Sequence, residues 1–293
     1  MGRALGGAMI VCTTKSEVRA AIAEARRHRR SLGFVPTMGF LHRAHLELVR
    51  RANRENDAVV VSIFVNPLQF GPHEDLAAYP RDLDRDRALL EEARVAILFA
   101  PDVGEMYPAG PIETVIDVGR IGEVGEGRFR PGHFNGVATV CLKLFAIVGA
   151  DCAYFGQKDA QQLAVIRQIV RDLDLAVEIV GCPTVREPDG LAMSSRNHYL
   201  DPVARRAAAV LPRALLAAAD AARAGTRSAA ALAAIVERIV EAEPGVALQY
   251  IEVADPGTFE SLDEVRGPAV LALAAFVGEA RLIDNVGLAP PEA

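Results

Sequence analysis

The clearest structural signal in the sequence is the stretch Pro36-Thr37-Met38-Gly39-Phe40-Leu41-His42-Arg43-Ala44-His45. It follows the apolar run 32–36, which is typical of a buried strand, and it opens a helical pattern that continues to about residue 55. A strand–loop–helix junction presents backbone N–H groups and the positive end of the helix dipole to whatever occupies the loop. His42 and His45 lie on one face of the first helical turn, where imidazole N–H groups can bind phosphate oxygens. We therefore predict a phosphate-binding loop at this junction.

Outward from this loop, strand-like and helix-like stretches alternate as far as residue 186. The candidate strands are short and apolar on both faces, as in a parallel sheet covered on both sides. They are residues 9–12, 32–36, 58–65, 95–100, 114–118, 153–155 and 176–180. Helical patterns at 16–30 and 159–172 lie between them. The alternation predicts an α/β domain over 1–186 with a doubly wound parallel sheet, whose ligands bind beyond the carboxyl ends of the strands.

The composition changes after the turn cluster 187–190. Residues 203–242 are rich in alanine and predict two helices separated near Gly225, whereas 248–253 and 269–277 are predicted as strands. Asp284 and Asn285 are predicted to form a late turn. We therefore expect a second, smaller α+β domain over 187–293.

The bulk composition excludes several classes of protein. A net charge of -6 without a long Lys/Arg stripe argues against a nucleic-acid binder, and we interpret the basic clusters at 26–30 and 50–54 as solvated helix faces. No apolar run reaches the roughly 18 residues of a membrane span, and residues 1–8 are too short for a signal peptide. The four cysteines lie far apart in apolar runs, as buried thiols do in a reducing compartment. We predict a cytoplasmic protein that binds neither nucleic acid nor membrane.

Three further loops carry polar side chains suited to a small ligand and a phosphate. Asn66 and Gln69 follow a strand, and their amides suit a small hydroxy acid. Lys158 follows Gly156 at another strand-to-helix junction and is a point charge suited to phosphate, while Asp159 either contacts the ligand or caps the helix. The run Met193-Ser194-Ser195-Arg196-Asn197 offers two hydroxyls and a guanidinium that can grip a triphosphate.

The glycine-rich stretch 125–134 predicts a mobile loop that closes over a reactive intermediate. Within it, Arg130 and His133 either face a phosphate or carboxylate or are solvated loop charges. A zinc site is a weaker interpretation of the histidines, because His73, His133 and His198 do not have convincing ligand spacing.

The H-x-x-H loop resembles the HIGH signature of the nucleotidyltransferase superfamily, and the longer run P-T-M-G-x-L-H-x-x-H resembles the pantothenate synthetases more narrowly. The segments Phe64-Val65-Asn66-Pro67-Leu68-Gln69-Phe70 and Tyr79-Pro80-Arg81 are also similar to that family. Met193 to Asn197 resembles the KMSKS loop of class I synthetases, and 276–285 is like the family's C-terminal strand pair. The resemblance covers nearly the whole chain and implies a Rossmann-like fold of the HIGH-motif type.

The resemblance also implies the roles of individual residues. His42, His45, Lys158, Ser194, Ser195 and Arg196 would be catalytic, with His45 as the proton donor, and Gln69 and Gln162 would bind pantoate. The ATP-binding residues it implies are Met38, Gly39, Phe40, Leu41, His42, Arg43, Ala44, His45, Gly156, Gln157, Lys158, Asp159, Val185, Met193, Ser194, Ser195 and Arg196. Two positions depart from the pattern: Ala44 replaces a glycine and adds one methyl group, and Gln157 replaces a glutamate.

The reaction implied is an ATP-dependent condensation of pantoate with β-alanine through a pantoyl adenylate, with release of pyrophosphate and AMP. Mg²⁺ would bridge phosphate oxygens and need few protein ligands; Asp82, Asp84 and Asp86 are candidates among which the sequence does not choose. The family is usually dimeric, so a homodimer is expected. Two alternatives stay open: an adenylyltransferase acting on a phosphopantetheine-like substrate, which would have no amine-binding step, and a nucleotide-binding regulatory protein without turnover.

Overall fold

The computed structural model describes residues 8–27, 31–72, 74, 76–110 and 112–289. The predictions made for the first seven residues, for the end of the basic cluster 26–30 and for His73 as a metal ligand lie outside these residues. The chain divides into two compact units. The first contains residues up to Gly122 together with Arg130–Gly156 and Val165–Cys182, and the second contains Glu123–Phe129, Gln157–Ala164 and the chain from Pro183 onwards.

The first unit is built on a six-stranded sheet in which every pairing is parallel. Its strands are β1 (Ile10–Cys12), β2 (Leu32–Thr37), β3 (Ala58–Ile63), β4 (Ile97–Phe99), β5 (Cys152–Gly156) and β6 (Glu178–Cys182), in the order β1-β4-β3-β2-β5-β6. The predicted α/β class with a parallel sheet is confirmed. Buried residues occur on both parities of the central strands, for example in the run Leu32 to Val35, because both faces of the sheet are covered.

The order of the strands reverses at the β2–β5 pair. From β2 the chain proceeds through β3 towards β4, whereas β5 is followed by β6 on the other side. Such a reversal of strand order creates a crevice beyond the carboxyl ends of the strands, where α/β proteins bind ligands. The loop after β2 therefore begins at this topological switch point, and β5 ends there with Gly156.

Helices cover the six-stranded sheet and also contribute to the second unit. They are α1 (Lys15–Arg27), α2 (Arg43–Glu55), α3 (Leu83–Glu92), α4 (Val103–Met106), α5 (Glu126–Phe129), α6 (His133–Val148), α7 (Ala160–Asp172), α8 (Pro202–Ala207), α9 (Val210–Arg223) and α10 (Ala229–Glu241). Short 3-10 turns include Pro67–Gln69, Gln157–Asp159 and Ser195–Tyr199. Helix α1 buries Val18, Ile22 and Ala25, which lie on one side of the helix.

The second unit contains an antiparallel sheet with strand order β7-β8-β9, formed by β7 (Val246–Ala254), β8 (Ala269–Val277) and β9 (Ala280–Leu288). A core of alanine, valine and leucine side chains lies between this sheet and helices α9 and α10. No helix in the described part of the chain has both the length and the apolar character that a membrane span requires.

Three local predictions are wrong. Residues 114–118 form no strand, because the N–H groups of Ile116 and Val118 donate to the side chains of Thr139 and Asn135 instead of a sheet. Asp284 and Asn285 lie inside β9, where pairing with β8 overrides their turn preference.

The third concerns the first alanine-rich helix, which is interrupted between α8 and α9. Pro212 has no N–H group to bond to a carbonyl four residues earlier. The helix therefore starts again at Val210, which leaves the proline in the first turn, where a donor is not needed.

Candidate active site

The loop after β2 has a backbone shape that requires glycine. Gly39 has φ +84°, and a Cβ atom there would lie 2.9 Å from Cγ2 of Ile63 and 3.1 Å from Oδ2 of Asp86. The N–H of Gly39 donates to Oγ1 of Thr37 (3.2 Å), and that hydroxyl donates to the carbonyl of Ser62 (2.8 Å). The loop is thus tied to the neighbouring strand β3 and passes close to a carboxylate of α3.

The carboxylate of Asp86, on α3, supports the loop after β2. The Asp86 side chain is 1% exposed, and Oδ1 accepts the N–H of Leu41 at 2.7 Å. Burial raises the pKa of the Asp86 carboxyl, an effect that the N–H groups of Leu41 and Phe40 partly oppose. Arg85 donates to the carbonyl of Leu41 (3.0 Å) and lies over the ring of Phe40, 5.2 Å from its centroid. These contacts hold Phe40 at φ +49°, a conformation that is uncommon for a residue with a side chain.

The two histidines begin α2 as the sequence predicts. His42 is the residue before the helix, with an extended backbone, and its N–H donates to Nδ1 of His45 at 3.2 Å. The ring centroids lie 4.1 Å apart. Because Nδ1 of His45 accepts this bond, the proton of the neutral ring is assigned to Nε2. The arrangement therefore fixes the tautomer of His45 in which Nε2–H is the donor. Arg43 and Ala44 lie between the histidines in the same first turn of the helix.

The side chain of Gln69 contacts Met38 in the loop from Met38 to His45, which we call the histidine loop. It is 8% exposed, and its Nε2 donates to Sδ of Met38 at 3.0 Å, whereas its Oε1 accepts from Asn66 at 3.2 Å. A thioether is a weak acceptor, so a ligand oxygen can replace it at little cost. The amide oxygen of Gln69 is therefore held by Asn66, whereas its NH2 group is available to a polar ligand.

The turn that carries Gln69 is held by a buried network. Asn66 is 1% exposed, donates to the carbonyl of Gly136 (3.1 Å) and accepts from the hydroxyl of Tyr107 (2.8 Å). Burial raises the pKa of Tyr107 to about 12, so its hydroxyl stays protonated and remains a donor. Helix α6 passes so close that a Cβ at Gly136 would lie 2.2 Å from the carbonyl oxygen of Leu68.

Arg130 and His133 support this turn as well. His133 Nδ1 lies 2.7 Å from the carbonyl oxygen of Gln69, and its Nε2 lies 3.1 Å from Nη1 of Arg130. Arg130 also forms an ion pair with Glu74, with an Nη2–Oε2 distance of 2.6 Å. The observed contacts of these two side chains therefore include Glu74, the backbone of Gln69 and each other. Of the two alternatives, solvated loop charges do not describe this arrangement, because Arg130 faces the carboxylate of Glu74.

Candidate residues of the second unit begin at the 3-10 turn Gln157–Asp159, which leads into α7. Lys158 is 18% exposed, and its Nζ lies 3.6 Å from Oδ1 of Asp159. Nδ2 of Asn285, on β9, donates to the carbonyls of both Gln157 (3.0 Å) and Lys158 (2.8 Å). Gln162 is half-buried in the first turns of α7.

The Ser-Ser-Arg segment follows a narrow hairpin. Arg186 and Ala192 form an antiparallel bridge, and the N–H of Met193 donates to the carbonyl of Val185 at 3.0 Å. Ser194 then caps the 3-10 turn Ser195–Tyr199 by accepting the N–H of Arg196 at 3.3 Å. Val185 and Met193, which were predicted to contact ATP, are thus joined directly, and Ser194 to Arg196 continue from them.

A bidentate ion pair secures the start of this hairpin. Nη1 and Nη2 of Arg186 donate to the two oxygens of Asp284 at 2.7 and 3.0 Å, and Asp284 is 2% exposed. The same guanidinium donates to the carbonyls of Gly190 (3.0 Å) and Asn285 (3.1 Å). Planar, bidentate arginine pairs of this kind add geometric precision as well as energy.

The glycine-rich stretch 125–134 is more ordered than the predicted loop. It contains α5, whose Glu126 is 5% exposed and pairs with Arg281 at 2.6 and 2.7 Å. Phe129 stacks on Tyr250 with ring centroids 5.3 Å apart. Residues 126–129 thus form a helix and not the predicted loop, and a buried ion pair and a ring stack hold this segment on the antiparallel sheet.

The acidic residues proposed for Mg²⁺ have distinct positions. Asp82 caps α3 by accepting the N–H of Arg85, Asp84 is exposed, and Asp86 braces the histidine loop. Among the described residues, no group of three or more His, Cys, Asp and Glu side chains lies close enough together to hold a metal ion. A magnesium ion that arrives on the phosphates of a nucleotide needs only one or two protein carboxylates.

The sequence does not reveal the structural roles of several residues near the candidate site. Asp86 had a usable signal, because it shares the core-facing side of α3 with Leu90, where a carboxylate is unexpected. Tyr107 and Gly136 contribute to the Gln69 turn, and Asn285 and Arg186 to the second unit. No local pattern identifies these four, because their partners are distant in sequence.

Comparison with known proteins identifies the family. The family described as pantoate-beta-alanine ligase matches residues 10–287. The pantothenate synthetase of Pelotomaculum thermopropionicum is 55% identical over 277 residues, which cover 94% of this chain and 98% of that protein. The pantothenate synthetase of Brucella canis is 53% identical over 287 residues, covering 97% and 98%.

Solved structures agree with the sequence relatives. The pantothenate synthetase of Thermus thermophilus superposes with a TM-score of 0.91 at 52% identity and covers 96% of this chain and 100% of that chain. The pantoate-beta-alanine ligase of Francisella tularensis, complexed with beta-gamma ATP and beta-alanine, has a TM-score of 0.79 at 35% identity and covers 95% and 97%. Taken with the match over 10–287, these likenesses show that the chain belongs to the pantoate-beta-alanine ligase family.

Proposed function

We propose that this chain joins pantoate to β-alanine at the expense of ATP, through an enzyme-bound pantoyl adenylate. The observation that carries the proposal is the His42–His45 pair at the topological switch point, where one imidazole has its Nε2–H fixed as a donor. Family membership over nearly the whole chain supports it, and so does the Francisella tularensis relative that is complexed with beta-gamma ATP and beta-alanine.

In the first step, a carboxylate oxygen of pantoate attacks the α-phosphorus of ATP. A new P–O bond forms, the bond to the bridging oxygen of the β-phosphate breaks, and pyrophosphate leaves. His45 donates from Nε2 to the phosphate oxygens as negative charge builds on them, and His42 assists from the same turn. The backbone N–H groups at the start of α2 add the positive end of the helix dipole.

Residues of the second unit neutralise the remaining charge of the phosphates. Lys158 supplies a point charge, and Ser194, Ser195 and Arg196 supply hydroxyl and guanidinium donors for the triphosphate. Mg²⁺ enters with ATP as part of the substrate. Val185 contacts the adenine, and we propose as further ATP-binding residues Met193, the loop from Met38 to His45 and the segment from Gly156 to Asp159. We accordingly propose that residues 1–186 bind ATP and pantoate and that 187–293 contribute the Ser-Ser-Arg loop.

Pantoate is bound by Gln69 and Gln162. The Nε2 of Gln69 exchanges its weak thioether contact for a pantoate oxygen, while Asn66 keeps the amide in place. In the second step the β-alanine amine attacks the acyl carbon of the adenylate, AMP leaves with the electron pair of the C–O bond, and the amine loses a proton. The products are pantothenate and AMP.

The test is the complete reaction with the purified chain. Incubation with pantoate, β-alanine and MgATP should yield pantothenate and AMP in equal amounts, with pyrophosphate and without ADP, and omission of any one substrate should stop it. Formation of ADP, or no pantothenate with all three substrates present, would reject the proposal. A homodimer in the cytoplasm is part of the same proposal, and light scattering should give twice the chain mass of 31.3 kDa.

A further inference from the structure

Strand β9 holds three separate segments of the second unit through its side chains. Arg281 pairs with Glu126, Asp284 pairs with Arg186, and Asn285 binds the turn that carries Lys158. Arg281 and Asn285 are four residues apart and therefore project from the same face of the strand, whereas Asp284 projects from the other. Asp284 and Asn285, which were expected to form a turn, thus both contact other segments of the second unit.

Asn285 fixes the backbone that carries Lys158. Its Nδ2 donates to two successive carbonyls, those of Gln157 and Lys158, at 3.0 and 2.8 Å. Two bonds to neighbouring peptide groups set the orientation of the 3-10 turn, and the turn sets where Nζ of Lys158 can reach. A displacement of a phosphate-binding cation by about 1 Å can cost a large factor in rate.

Asp284 links the same strand to the hairpin before Ser194. Its carboxylate is 2% exposed and accepts both terminal nitrogens of Arg186, which also donates to the carbonyl of Asn285. The adjacent residues Asp284 and Asn285 thus hold the two segments that we assign to the ATP phosphates.

We propose that Asn285 and the Asp284–Arg186 pair are positioning residues that keep the Lys158 turn and the Ser-Ser-Arg hairpin in register for ATP. The inference rests on the proposed function, because it takes Lys158 and Ser194 to Arg196 as ATP ligands. Neither Asn285 nor Asp284 is assigned a contact with substrate. Asn285 pairs with Ala272 of β8 in the sheet, and the side-chain amide takes no part in that backbone pairing.

The experiment measures binding of a non-hydrolysable ATP analogue with Mg²⁺ by calorimetry, in the full chain. Asn285→Ala should raise the Kd for the analogue about tenfold, which corresponds to the loss of one or two ordinary hydrogen bonds. Asn53→Ala is the matched control, because its Nδ2 donates to the carbonyl of Ala93 (2.8 Å) in the first unit, and it should leave the Kd unchanged.

A double-mutant cycle separates positioning from general stability. In the Lys158→Ala background, Asn285→Ala should have a much smaller effect on the Kd, because the residue acts through Lys158. A full, additive effect in that background, or an unchanged Kd in the single variant, overturns the inference.

Arg186→Lys gives an independent test if Asn285→Ala does not fold. It keeps the charge beside Asp284 but loses the bidentate geometry, so it should weaken analogue binding and leave pantoate binding as it was. Equal loss of both affinities, or of neither, contradicts the inference. A chain that binds the analogue but makes no pantothenate rejects the proposed function, whereas unaltered Kd values in the variants reject only the positioning role.

Discussion

The histidine loop and the Lys158 turn both follow strands and both precede helices, but they are held in different ways. The histidine loop is tied by Thr37, two residues from Gly39, and by Asp86, 45 residues from Leu41. The Lys158 turn is tied by Asn285, 127 residues away, and the Ser-Ser-Arg hairpin begins at Arg186, whose partner Asp284 lies 98 residues away.

This difference explains which part of the candidate site can be recognised from the sequence. Strand, glycine and helix start are enough to define the histidine loop, because local backbone geometry creates most of it. The second region acquires its shape only when the C-terminal strand β9 is in place. We therefore expect changes in the histidine loop to affect the chemical step, and changes in β9 to affect ATP affinity.

The largest effect is expected from His45→Ala. The variant lacks the Nε2–H donor, and adenylate formation should fall by about two orders of magnitude or more. Pantoate-dependent exchange of pyrophosphate into ATP measures the rate, and circular dichroism checks that the fold is kept. Arg50→Ala is a control on the same helix, since Arg50 is exposed and pairs with Glu47. A wild-type rate in His45→Ala would remove this residue from the mechanism.

Gly136→Ala should disturb the pantoate side of the site through packing. The new Cβ would lie 2.2 Å from the carbonyl of Leu68, which forces α6 away from the turn that carries Gln69. We expect a loss of about 3 kcal/mol in the free energy of unfolding, together with weaker pantoate binding. Gly287→Ala is the control, because nothing lies within 4 Å of its Cβ position, and urea unfolding compares the two. Equal stabilities would show that α6 can move without cost.

Gln69→Ala should weaken pantoate binding about tenfold while the affinity for ATP stays the same, because one hydrogen bond to the acid is lost. Calorimetry with each ligand measures the two affinities. Gln168→Ala removes a comparable bond, to the carbonyl of Val118 at 2.9 Å, and should change neither. An unaltered pantoate affinity in Gln69→Ala would reject the assigned role.

The smallest expected effect is a pH dependence from Asp86. Its pKa is raised in the folded chain, so the folded state binds more protons than the unfolded state between the ordinary value, about 3.9, and the raised one. In that window the wild type should lose stability relative to Asp86→Asn as pH rises, and the difference should be constant above it.

Urea unfolding at several pH values measures this difference. The exposed Asp84→Asn, on the same helix, is the matched control for the loss of a carboxylate. A wild-type advantage that grows with pH would mean that the hydrogen bonds from Leu41 and Phe40 outweigh burial at Asp86.

The fold was largely predictable because the strands are apolar on both faces and the helices are periodic. The run 114–118 shows the limit of that signal, since it is apolar like a strand, yet Thr139 and Asn135 take its N–H groups. Pairing in a sheet likewise overrides the turn preference of Asp284 and Asn285.

The site was predictable only where a local pattern creates it. His42 and His45 are placed by the strand–loop–helix junction, whereas the contacts of Arg130 and His133 depend on the fold around Gln69. A sequence shows that such residues are polar and near a glycine. It does not show that they contact the backbone carbonyl of Gln69.

The measurement that tests the central claim most directly is exchange of labelled pyrophosphate into ATP by the purified chain, with pantoate present or absent and β-alanine omitted. The proposed adenylate predicts exchange that requires pantoate and does not require β-alanine. No exchange under these conditions would contradict the adenylate, and exchange only with phosphopantetheine-like substrates would identify an adenylyltransferase instead.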